Sequence, residues 1–236
     1  MRVLLLAAGY GTRLRPLTNT TPKCLIPING EPLLGIWLER LIQADMGPFL
    51  INTHYLAKQV ESFIRKSPYQ NMVTLVHEDE LLGTAGTLIK NLDFFQGGEG
   101  MLIHADNYCL ADLKTFKLVH HQRPSECVMT MMTFRTDAPS SCGIVEIDHH
   151  GVVVGFYEKI SNPPGNLANG AIYALSPEML LEISKEHPPV TDFSLEILPR
   201  FLGRIFTYEI DDPLIDVGTM QKYEMANKIA KRRKSD

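Results

Sequence analysis

The chain has 236 residues, 44% of them hydrophobic and 21% charged, so one sizeable core can form without a structural metal or disulfide. Its formal net charge of −4 and its pI of about 6.1 argue against nucleic acid as a partner. The four cysteines form no C-x-x-C pair, which excludes a zinc knuckle and fits a reducing, cytoplasmic location. The opening apolar run is far shorter than the ~18 residues of a membrane span, so we expect no membrane association.

Short apolar runs alternate with segments of helical period, which indicates βαβ units. We predict strands near Val3–Ala7, Phe49–Asn52, Val73–Val76, Met101–His104, Val128–Phe134, Ile144–Ile147, Val152–Tyr157 and Ala171–Ala174. We predict helices near Leu33–Ala44, Leu56–Lys66, Ala85–Asn91, Leu113–His121, Pro177–Ser184, Leu195–Leu202 and Thr219–Arg232. The pattern predicts an α/β, Rossmann-like single domain over residues 1–236, with a mostly parallel sheet flanked by helices and an antiparallel portion in the second half.

A turn of small residues follows the first strand, with the sequence LAAGYGTR from Leu6 to Arg13. Backbone N–H groups in such a turn can bind phosphate, and Arg13 adds a guanidinium fork. A dinucleotide-binding fingerprint is the alternative, but Leu14 stands where its third glycine belongs. A purely structural turn is another alternative. The candidate ligand-binding residues of this turn are Leu6, Ala8, Gly9, Gly11 and Thr12.

Lys23 follows Arg13 by ten residues, and the whole stretch LAAGYGTRLRPLTNTTPKCLIPINGEPLL resembles the signature of the sugar-1-phosphate nucleotidyltransferases. These nucleotide-sugar pyrophosphorylases have a GT-A-like α/β fold. The resemblance implies that Gly9 and Gly11 hold the triphosphate, that Arg13 contacts the departing pyrophosphate, and that Lys23 contacts the phosphates near the reacting centre. It also implies a nucleotide-binding half over about residues 1–110 and a sugar-phosphate-binding half over about residues 111–236.

Two aspartates are the predicted Mg²⁺ ligands. Asp106 follows an apolar strand, and Asp216 lies in a segment that resembles the family's D-[IV]-G-T motif. Carboxylates at the carboxyl ends of parallel strands face the ligand crevice, and Mg²⁺ takes oxygen ligands that phosphates can complete. An aspartate that starts a turn or caps a helix is the alternative for Asp106.

The segment Gly83-Thr84-Ala85-Gly86 resembles the family's nucleoside loop, where small side chains leave room for base and ribose. Its candidate nucleotide-binding residues are Glu80, Gly83, Thr84 and Ala85. A carboxylate here, with Glu80 as our choice, could accept hydrogen bonds from both N1–H and the N2 amine of guanine. A simple helix entry and a solvated acidic loop are the alternatives.

The resemblance also implies a sugar-phosphate site, for which the candidate residues are Asn107, Gly143, Glu158, Lys159 and Asn169. In the family the acid of the Glu-Lys pair takes sugar hydroxyls and the lysine takes the sugar phosphate. An adjacent Glu-Lys is otherwise a solvated pair. The segment that starts at Asn169 departs from the family pattern N-[AG]-G-[IV]-Y, because glycine and alanine stand in swapped order at Gly170 and Ala171.

These parts predict Mg²⁺-dependent transfer of a nucleotidyl group from an NTP to a sugar 1-phosphate, with pyrophosphate released. The chain ends soon after the D-V-G-T helix, an architecture similar to short bacterial mannose- or heptose-1-phosphate guanylyltransferases and to uridylyltransferases. GTP is our first choice, UTP the second and CTP the third, with the product serving cell-envelope polysaccharide. A non-catalytic nucleotide-sugar-binding homologue is the alternative from a different class, and assembly into a homo-oligomer is left open.

Overall fold

The computed structural model describes residues 1–185 and 190–233. Its strands are β1 (Arg2–Leu6), β2 (Pro27–Ile28), β3 (Glu31–Pro32), β4 (Phe49–Thr53), β5 (Val73–His77), β6 (Gly100–His104), β7 (Asn107–Cys109), β8 (Met129–Arg135), β9 (Gly143–Ile147), β10 (Val153–Glu158), β11 (Leu167–Leu175), β12 (Ile205–Ile210) and β13 (Leu214–Asp216). Its α-helices are α1 (Leu33–Gln43), α2 (Ala57–Lys66), α3 (Gly83–Lys90), α4 (Leu113–His121), α5 (Pro177–Ile183) and α6 (Met220–Arg233). Among these helices, none combines the length and the apolar character needed to cross a bilayer.

The described residues divide into two compact units, each assembled from segments that are distant in sequence. The first unit contains Val3–Leu81, His104–Leu110 and the described residues from Pro213 onward. The second unit contains Met1–Arg2, Leu82–Ile103 and the described part of Ala111–Asp212. The assignment of residues 1–236 to one domain, with halves that meet near residue 110, stays a prediction.

A parallel arrangement of strands forms the core of the first unit. Strand β4 pairs in parallel with both β1 and β5. All of its residues are buried, which is typical of a parallel strand that is covered on both faces. Helix α1 contributes a continuous apolar face at helical spacing, formed by Leu33, Leu34, Trp37, Leu38 and Leu41. The core of this unit therefore places the carboxyl ends of β1 and β4 beside each other.

The last described segment of the chain is fastened to the first unit by backbone and side-chain hydrogen bonds. Strand β13 pairs antiparallel with β7. The Tyr223 hydroxyl in α6 donates to the Pro27 carbonyl at 3.1 Å, and the Asn29 N–H donates to Asn227 Oδ1 at 2.7 Å. Residues more than a hundred positions later in the chain thus pack beside the N-terminal segments of this unit.

Strand β11 is the centre of the second unit and pairs antiparallel with β6, β8 and β9. The predicted hairpin is present, because β9 and β10 pair antiparallel and the Gly151 N–H donates to the Asp148 carbonyl at 3.1 Å. Strand β12 adds the one described parallel pair of this unit, with β8. The Ser176 hydroxyl accepts from the Met179 N–H, so the predicted cap of α5 is also present.

The α/β class is confirmed, with parallel pairing in the first unit and the expected antiparallel portion in the second. The structure contains every predicted strand, but sequence analysis missed β2, β3, β7, β12 and β13. The predicted helix over Leu195–Leu202 is wrong as one α-helix. The chain instead forms a π-helical turn, Phe193–Ile197, followed by a 3₁₀ turn, Leu198–Phe201. Pro199 has no N–H to donate to the preceding turn, which explains the break.

Candidate functional site

The glycine loop after β1 has a fixed backbone conformation. Gly11 has φ of 62°, in the left-handed region that glycine adopts at little cost. A Cβ on Gly11 would lie 2.8 Å from Thr18 Cγ2 and 3.2 Å from Lys23 Cβ. The Thr18 hydroxyl donates to the Gly11 carbonyl at 2.8 Å. Both the φ angle and the close approach therefore require glycine at this position.

The 3₁₀ turn that follows Gly11 contains one buried apolar side chain and one exposed cationic side chain. Leu14, the residue that breaks the dinucleotide fingerprint, is fully buried. Arg13, one position earlier in the same 3₁₀ turn, has a side chain that is 71% exposed. Burial of Leu14 holds this turn against the core, and Arg13 is left available to an anionic ligand.

Lys23 lies between the two aspartates that sequence analysis selected. Its Nζ is 2.5 Å from Asp106 Oδ2 and 3.3 Å from Asp216 Oδ1. The lysine side chain is only 10% exposed, whereas those of Asp106 and Asp216 are 33% and 41% exposed. The structure therefore brings together three predicted site residues from distant parts of the chain.

Pairing of β7 with β13 accounts for the meeting of the two aspartates. Asn107, the residue after Asp106, is the Cα partner of Asp216. The Val217 N–H donates to the Asp106 carbonyl at 3.0 Å, and Arg13 Nη2 lies 3.9 Å from Asp216 Oδ2. Asn107 itself is buried, and its carbonyl accepts from the Trp37 indole N–H at 2.7 Å. Its predicted contact with the sugar phosphate stays a prediction.

The three buried or half-buried charges stabilise one another. Burial alone would lower the pKa of Lys23, but Asp106 and Asp216 outweigh burial and raise it. Burial likewise opposes the charged form of Asp106, but Lys23, with help from His104, outweighs it, and the pKa of that carboxyl is lowered. Lys23 and Asp106 are therefore charged at neutral pH, and the cluster sets one lysine against two aspartates.

The donor set of this cluster fits Mg²⁺. In residues 1–185 and 190–233, no three His, Cys, Asp or Glu side chains converge into a cage made of protein ligands alone. Mg²⁺ commonly takes one or two carboxylates and completes its shell with phosphate oxygens and water. Asp106 and Asp216 both reach one ammonium, so their oxygens converge on a small volume. They are the residues that would hold the ion.

A second polar group lies in the first unit, beside the glycine loop. The Ala7 N–H donates to Asn52 Oδ1 at 2.7 Å, and Asn52 Nδ2 donates to Glu78 Oε1 at 3.0 Å. Both Asn52 and Glu78 are buried, whereas Glu80 is exposed. Sequence analysis selected Glu80 and missed this pair. The sequence signal for this pair was Asn52, a polar residue near the end of an otherwise apolar strand. A polar residue after an apolar strand was also the signal that identified Asp106.

The predicted nucleoside loop has structural hydrogen bonds of its own in the second unit. The Ala85 N–H donates to the Thr191 carbonyl at 2.9 Å, and the Thr84 hydroxyl accepts from the Phe193 N–H at 2.8 Å. These bonds tie the first turn of α3 to the segment before the π-helical turn. The helix-entry interpretation explains them directly, and nucleotide binding by Gly83, Thr84 and Ala85 stays a prediction.

The predicted acceptor residues of the second unit form two local groups. Lys159 Nζ lies 2.6 Å from Glu158 Oε1, and a Cβ on Gly143 would lie 2.5 Å from Glu158 Oε2. Asn169 Nδ2 donates to the Tyr173 hydroxyl at 2.7 Å, and Asn169 Oδ1 accepts from the Ala171 N–H. The structure therefore unites Gly143, Glu158 and Lys159, and it fixes the orientation of the Asn169 amide.

The swapped glycine and alanine have a conformational consequence. Ala171 has φ of 53°, in the left-handed region, whereas Gly170 is not among the residues with positive φ. The family pattern has glycine at the second position of this pair, and this chain has alanine there. Alanine in this region is strained by contact between Cβ and the backbone.

A family model described as nucleotidyl transferase matches residues 2–233. The chain belongs to this family. The resemblance drawn from the glycine loop and Lys23 is confirmed.

The chain is 32% identical over 214 residues to the mannose-1-phosphate guanylyltransferase catalytic subunit beta of Drosophila melanogaster, covering 89% of this chain and 57% of that protein. It is 28% identical over 245 residues to the UTP–glucose-1-phosphate uridylyltransferase of a Synechocystis strain, covering 96% of this chain and 62% of that protein. The crystal structure of HddC from Yersinia pseudotuberculosis complexed with GMP-PN superposes with a TM-score of 0.80 at 25% identity, covering 97% of this chain and 99% of that one. The chain thus spans about three fifths of the length of the first two relatives.

Proposed function

We propose that this chain transfers a nucleotidyl group from an NTP to a sugar 1-phosphate and releases pyrophosphate. One observation carries the proposal, namely Lys23 held between Asp106 and Asp216 in the unit that contains the glycine loop. Phosphoryl transfer of this kind depends on positioned cations and backbone donors and needs little covalent chemistry from the protein. The cluster supplies such groups.

The phosphate oxygen of the sugar 1-phosphate is the nucleophile and is already an anion at neutral pH. No general base is therefore required, and catalysis consists of positioning and electrostatic stabilisation. The N–H groups of Gly9 and Gly11 bind the triphosphate. Arg13 stabilises the charge that develops on pyrophosphate, and Lys23 binds the phosphates at the reacting centre.

Asp106 and Asp216 hold Mg²⁺ in this proposal. When bound, the ion would offset the negative charge on the α-phosphate and on the pyrophosphate. The 33% and 41% exposure of the two carboxylate side chains supports this role, because phosphate oxygens and water can reach them. Before the ion binds, Lys23 forms an ion pair with each of the two carboxylates.

Glu158 and Lys159 bind the acceptor. In the free protein the two side chains neutralise each other at 2.6 Å. A sugar 1-phosphate offers hydroxyl donors to Glu158 and a phosphate dianion to Lys159, so it replaces that pair with two separate contacts. Gly143 leaves space for the carboxylate, and Asn169 adds an oriented amide.

Guanine is the proposed base, and a mannose- or heptose-type 1-phosphate is the proposed acceptor. The names of the Drosophila guanylyltransferase and of the HddC complex with GMP-PN favour GTP. The name of the Synechocystis uridylyltransferase keeps UTP as the second candidate, ahead of CTP. Glu80 remains our proposed acceptor for the N1–H and N2 amine of guanine.

A panel of four NTPs against several sugar 1-phosphates, read by pyrophosphate release with and without Mg²⁺, tests the proposal. We expect Mg²⁺-dependent release that is fastest with GTP. Turnover that is far faster with UTP or CTP would overturn the choice of guanine and leave the reaction standing. Binding of a nucleotide sugar with no pyrophosphate release from any pair would instead identify a non-catalytic homologue.

The role of Glu80 needs its own variant. Glu80→Gln should lower kcat/KM for GTP more than for UTP, because an amide presents only one acceptor oxygen to guanine. Asp79→Asn is the matched control, since the neighbouring carboxylate is exposed as well. An equal loss with both nucleotides would remove Glu80 from base selection.

A further inference from the structure

The middle of the glycine loop is tied to a histidine at the carboxyl end of β4. The Tyr10 hydroxyl lies 2.9 Å from His54 Nε2, and His54 Nδ1 lies 2.7 Å from the Glu78 carbonyl oxygen. A carbonyl can only accept, so Nδ1 carries the proton and donates to it. Nε2 is the ring atom that faces the Tyr10 hydroxyl. This path of hydrogen bonds connects the loop to the backbone after β5.

Ring contacts reinforce the hydrogen bond. Tyr10 meets His54 edge to face, with ring centroids 5.3 Å apart, and its ring lies 5.5 Å from that of Tyr55. Tyr10 is nevertheless 45% exposed and is flanked by Gly9 and Gly11. A residue between two glycines has an unusually free backbone, so these side-chain contacts remove much of the loop's freedom.

Tyr55 fixes the far end of the same loop. Its hydroxyl donates to the Thr18 carbonyl at 2.9 Å, and the Thr18 hydroxyl in turn donates to the Gly11 carbonyl. Consecutive residues at the end of β4 therefore hold the loop at two points, His54 through Tyr10 and Tyr55 through Thr18. Of these two hydrogen bonds, the one to His54 is made by Tyr10, the residue between the two glycines.

We propose that Tyr10 and His54 form a latch that holds the glycine loop in its phosphate-binding conformation before the NTP arrives. Both are positioning residues. A loop with pre-oriented N–H groups loses less conformational entropy when it binds a triphosphate, so the latch strengthens NTP binding. Its effect on catalysis rests on the proposed function, whereas its effect on the loop does not.

Two single variants and their combination test the latch. Tyr10→Phe removes only the hydroxyl, and His54→Asn keeps a short amide near the Nδ1 position but cannot reach Tyr10. His77→Gln is the matched control, because that ring lies nearly parallel to His54 at 6.3 Å and its polar contacts are to Thr53 and Asp79. Hydrogen exchange of the amides at residues 9–13 and trypsin cleavage after Arg13 report on the loop without any substrate.

Loss of one neutral hydrogen bond corresponds to a change of about three- to ten-fold. Each single variant should accelerate exchange and cleavage by that factor and raise KM for the NTP similarly, with KM for the sugar 1-phosphate unchanged. The double variant should be no worse than either single one, because both break the same bond. The His77→Gln protein should match the wild type.

Unchanged exchange in both single variants would overturn the latch, and so would additive effects in the double variant. Faster exchange with an unchanged KM for the NTP would also overturn it, since the loop would then move without consequence for binding. If the wild type fails to release pyrophosphate from any NTP tested, the proposed function fails. Hydrogen exchange and trypsin cleavage still test whether the Tyr10–His54 hydrogen bond holds the loop. The two failures are therefore distinguishable.

Discussion

Lys23 in the first unit and Lys159 in the second are paired with carboxylates in opposite ways. In the first unit Lys23 is paired with Asp106 and Asp216, which are 83 and 193 positions away in the chain. In the second unit Lys159 is paired with its neighbour Glu158, and the lysine side chain is 66% exposed. The first arrangement is a fixed consequence of the fold, whereas the second is local and can rearrange in water. We therefore expect losses in the first unit to affect catalysis and losses in the second to affect acceptor binding.

The largest expected effect follows from removing one acid of the cluster. Asp216→Asn should lower turnover by more than about 10³-fold, because a neutral amide is a poor Mg²⁺ ligand. Asp106 remains 2.5 Å from Lys23 Nζ, so the buried lysine keeps one acid and the protein should still fold. Pyrophosphate release across a Mg²⁺ titration is the measurement, with Asp211→Asn as the control. Full activity of Asp216→Asn at ordinary Mg²⁺ concentrations would contradict the assignment of Asp216 as a Mg²⁺ ligand.

The exposed arginine of the first unit should act on the chemical step. Arg13→Ala should reduce kcat by about 10²–10³-fold, since its guanidinium stabilises charge that grows on pyrophosphate in the transition state. Arg15→Ala is a suitable control, because Arg15 is also exposed and lies two residues later. If the Arg13 variant raised only KM for the sugar 1-phosphate, Arg13 would act on acceptor binding. The proposed difference between the two units would then be wrong.

The exposed lysine of the second unit should act on acceptor binding. Lys159→Ala should raise KM for the sugar 1-phosphate by about 10-fold or more and leave KM for the NTP nearly unchanged, because one charge-assisted contact to phosphate is lost. Steady-state kinetics with each substrate varied in turn separates the two constants, and Lys185→Ala is the control. An effect confined to the NTP would show that Lys159 does not bind the acceptor.

The units also differ in how each buries a basic side chain. Lys23 is buried charged, whereas burial lowers the pKa of His120 to about 3, with Arg123 and His121 adding to the effect. The neutral ring is 2.9 Å from the Thr130 hydroxyl, and its Nε2 lies 3.8 Å from Glu99. The unfolded chain binds a proton below its ordinary pKa of 6.5 and the folded chain does not, so this group's contribution to stability falls with acidification from pH 6.5 toward 3.

Urea unfolding at pH 7, 6 and 5 checks this dependence. Between pH 6 and 5 the free energy of unfolding should fall more steeply in the wild type than in His120→Gln, by about 1 kcal/mol per pH unit. Both proteins share all other titrating groups, so the difference isolates the histidine. Parallel slopes would contradict a neutral buried ring.

The smallest expected effect concerns the strained alanine of the second unit. Ala171→Gly should stabilise the protein by about 0.5–1 kcal/mol, because glycine adopts φ of 53° without contact between Cβ and the backbone. Ala168→Gly in the same strand should destabilise it, since Ala168 lacks a positive φ. Thermal unfolding of both variants is the measurement. A loss of stability in Ala171→Gly would show that its Cβ packing outweighs the strain.

The sequence predicted the residues of the cluster formed by Lys23, Asp106 and Asp216. It did not predict the strand pairing that brings them together. The spacing of Arg13 and Lys23 and the polar residues after apolar strands were visible in the sequence. Strands β7 and β13 have three residues each, too few for a periodic signal, and their pairing depends on long-range register. The swap at Ala171 was visible as a departure from a pattern, but its positive φ requires coordinates. His54 gave no signal, because it acts through contacts with Tyr10 and with the Glu78 carbonyl on other segments.

The position of Asp216 beside Asp106 has a consequence for the order in which the molecule is made. The ribosome completes the glycine loop, Lys23 and Asp106 long before it adds residues 213–216. A chain arrested before that point has β7 without its partner strand and a lysine with only one of its two acids. Such a nascent or prematurely terminated chain lacks one of the two proposed metal ligands. Under the proposed function, the metal site should therefore be completed only after residues 213–216 have been synthesised.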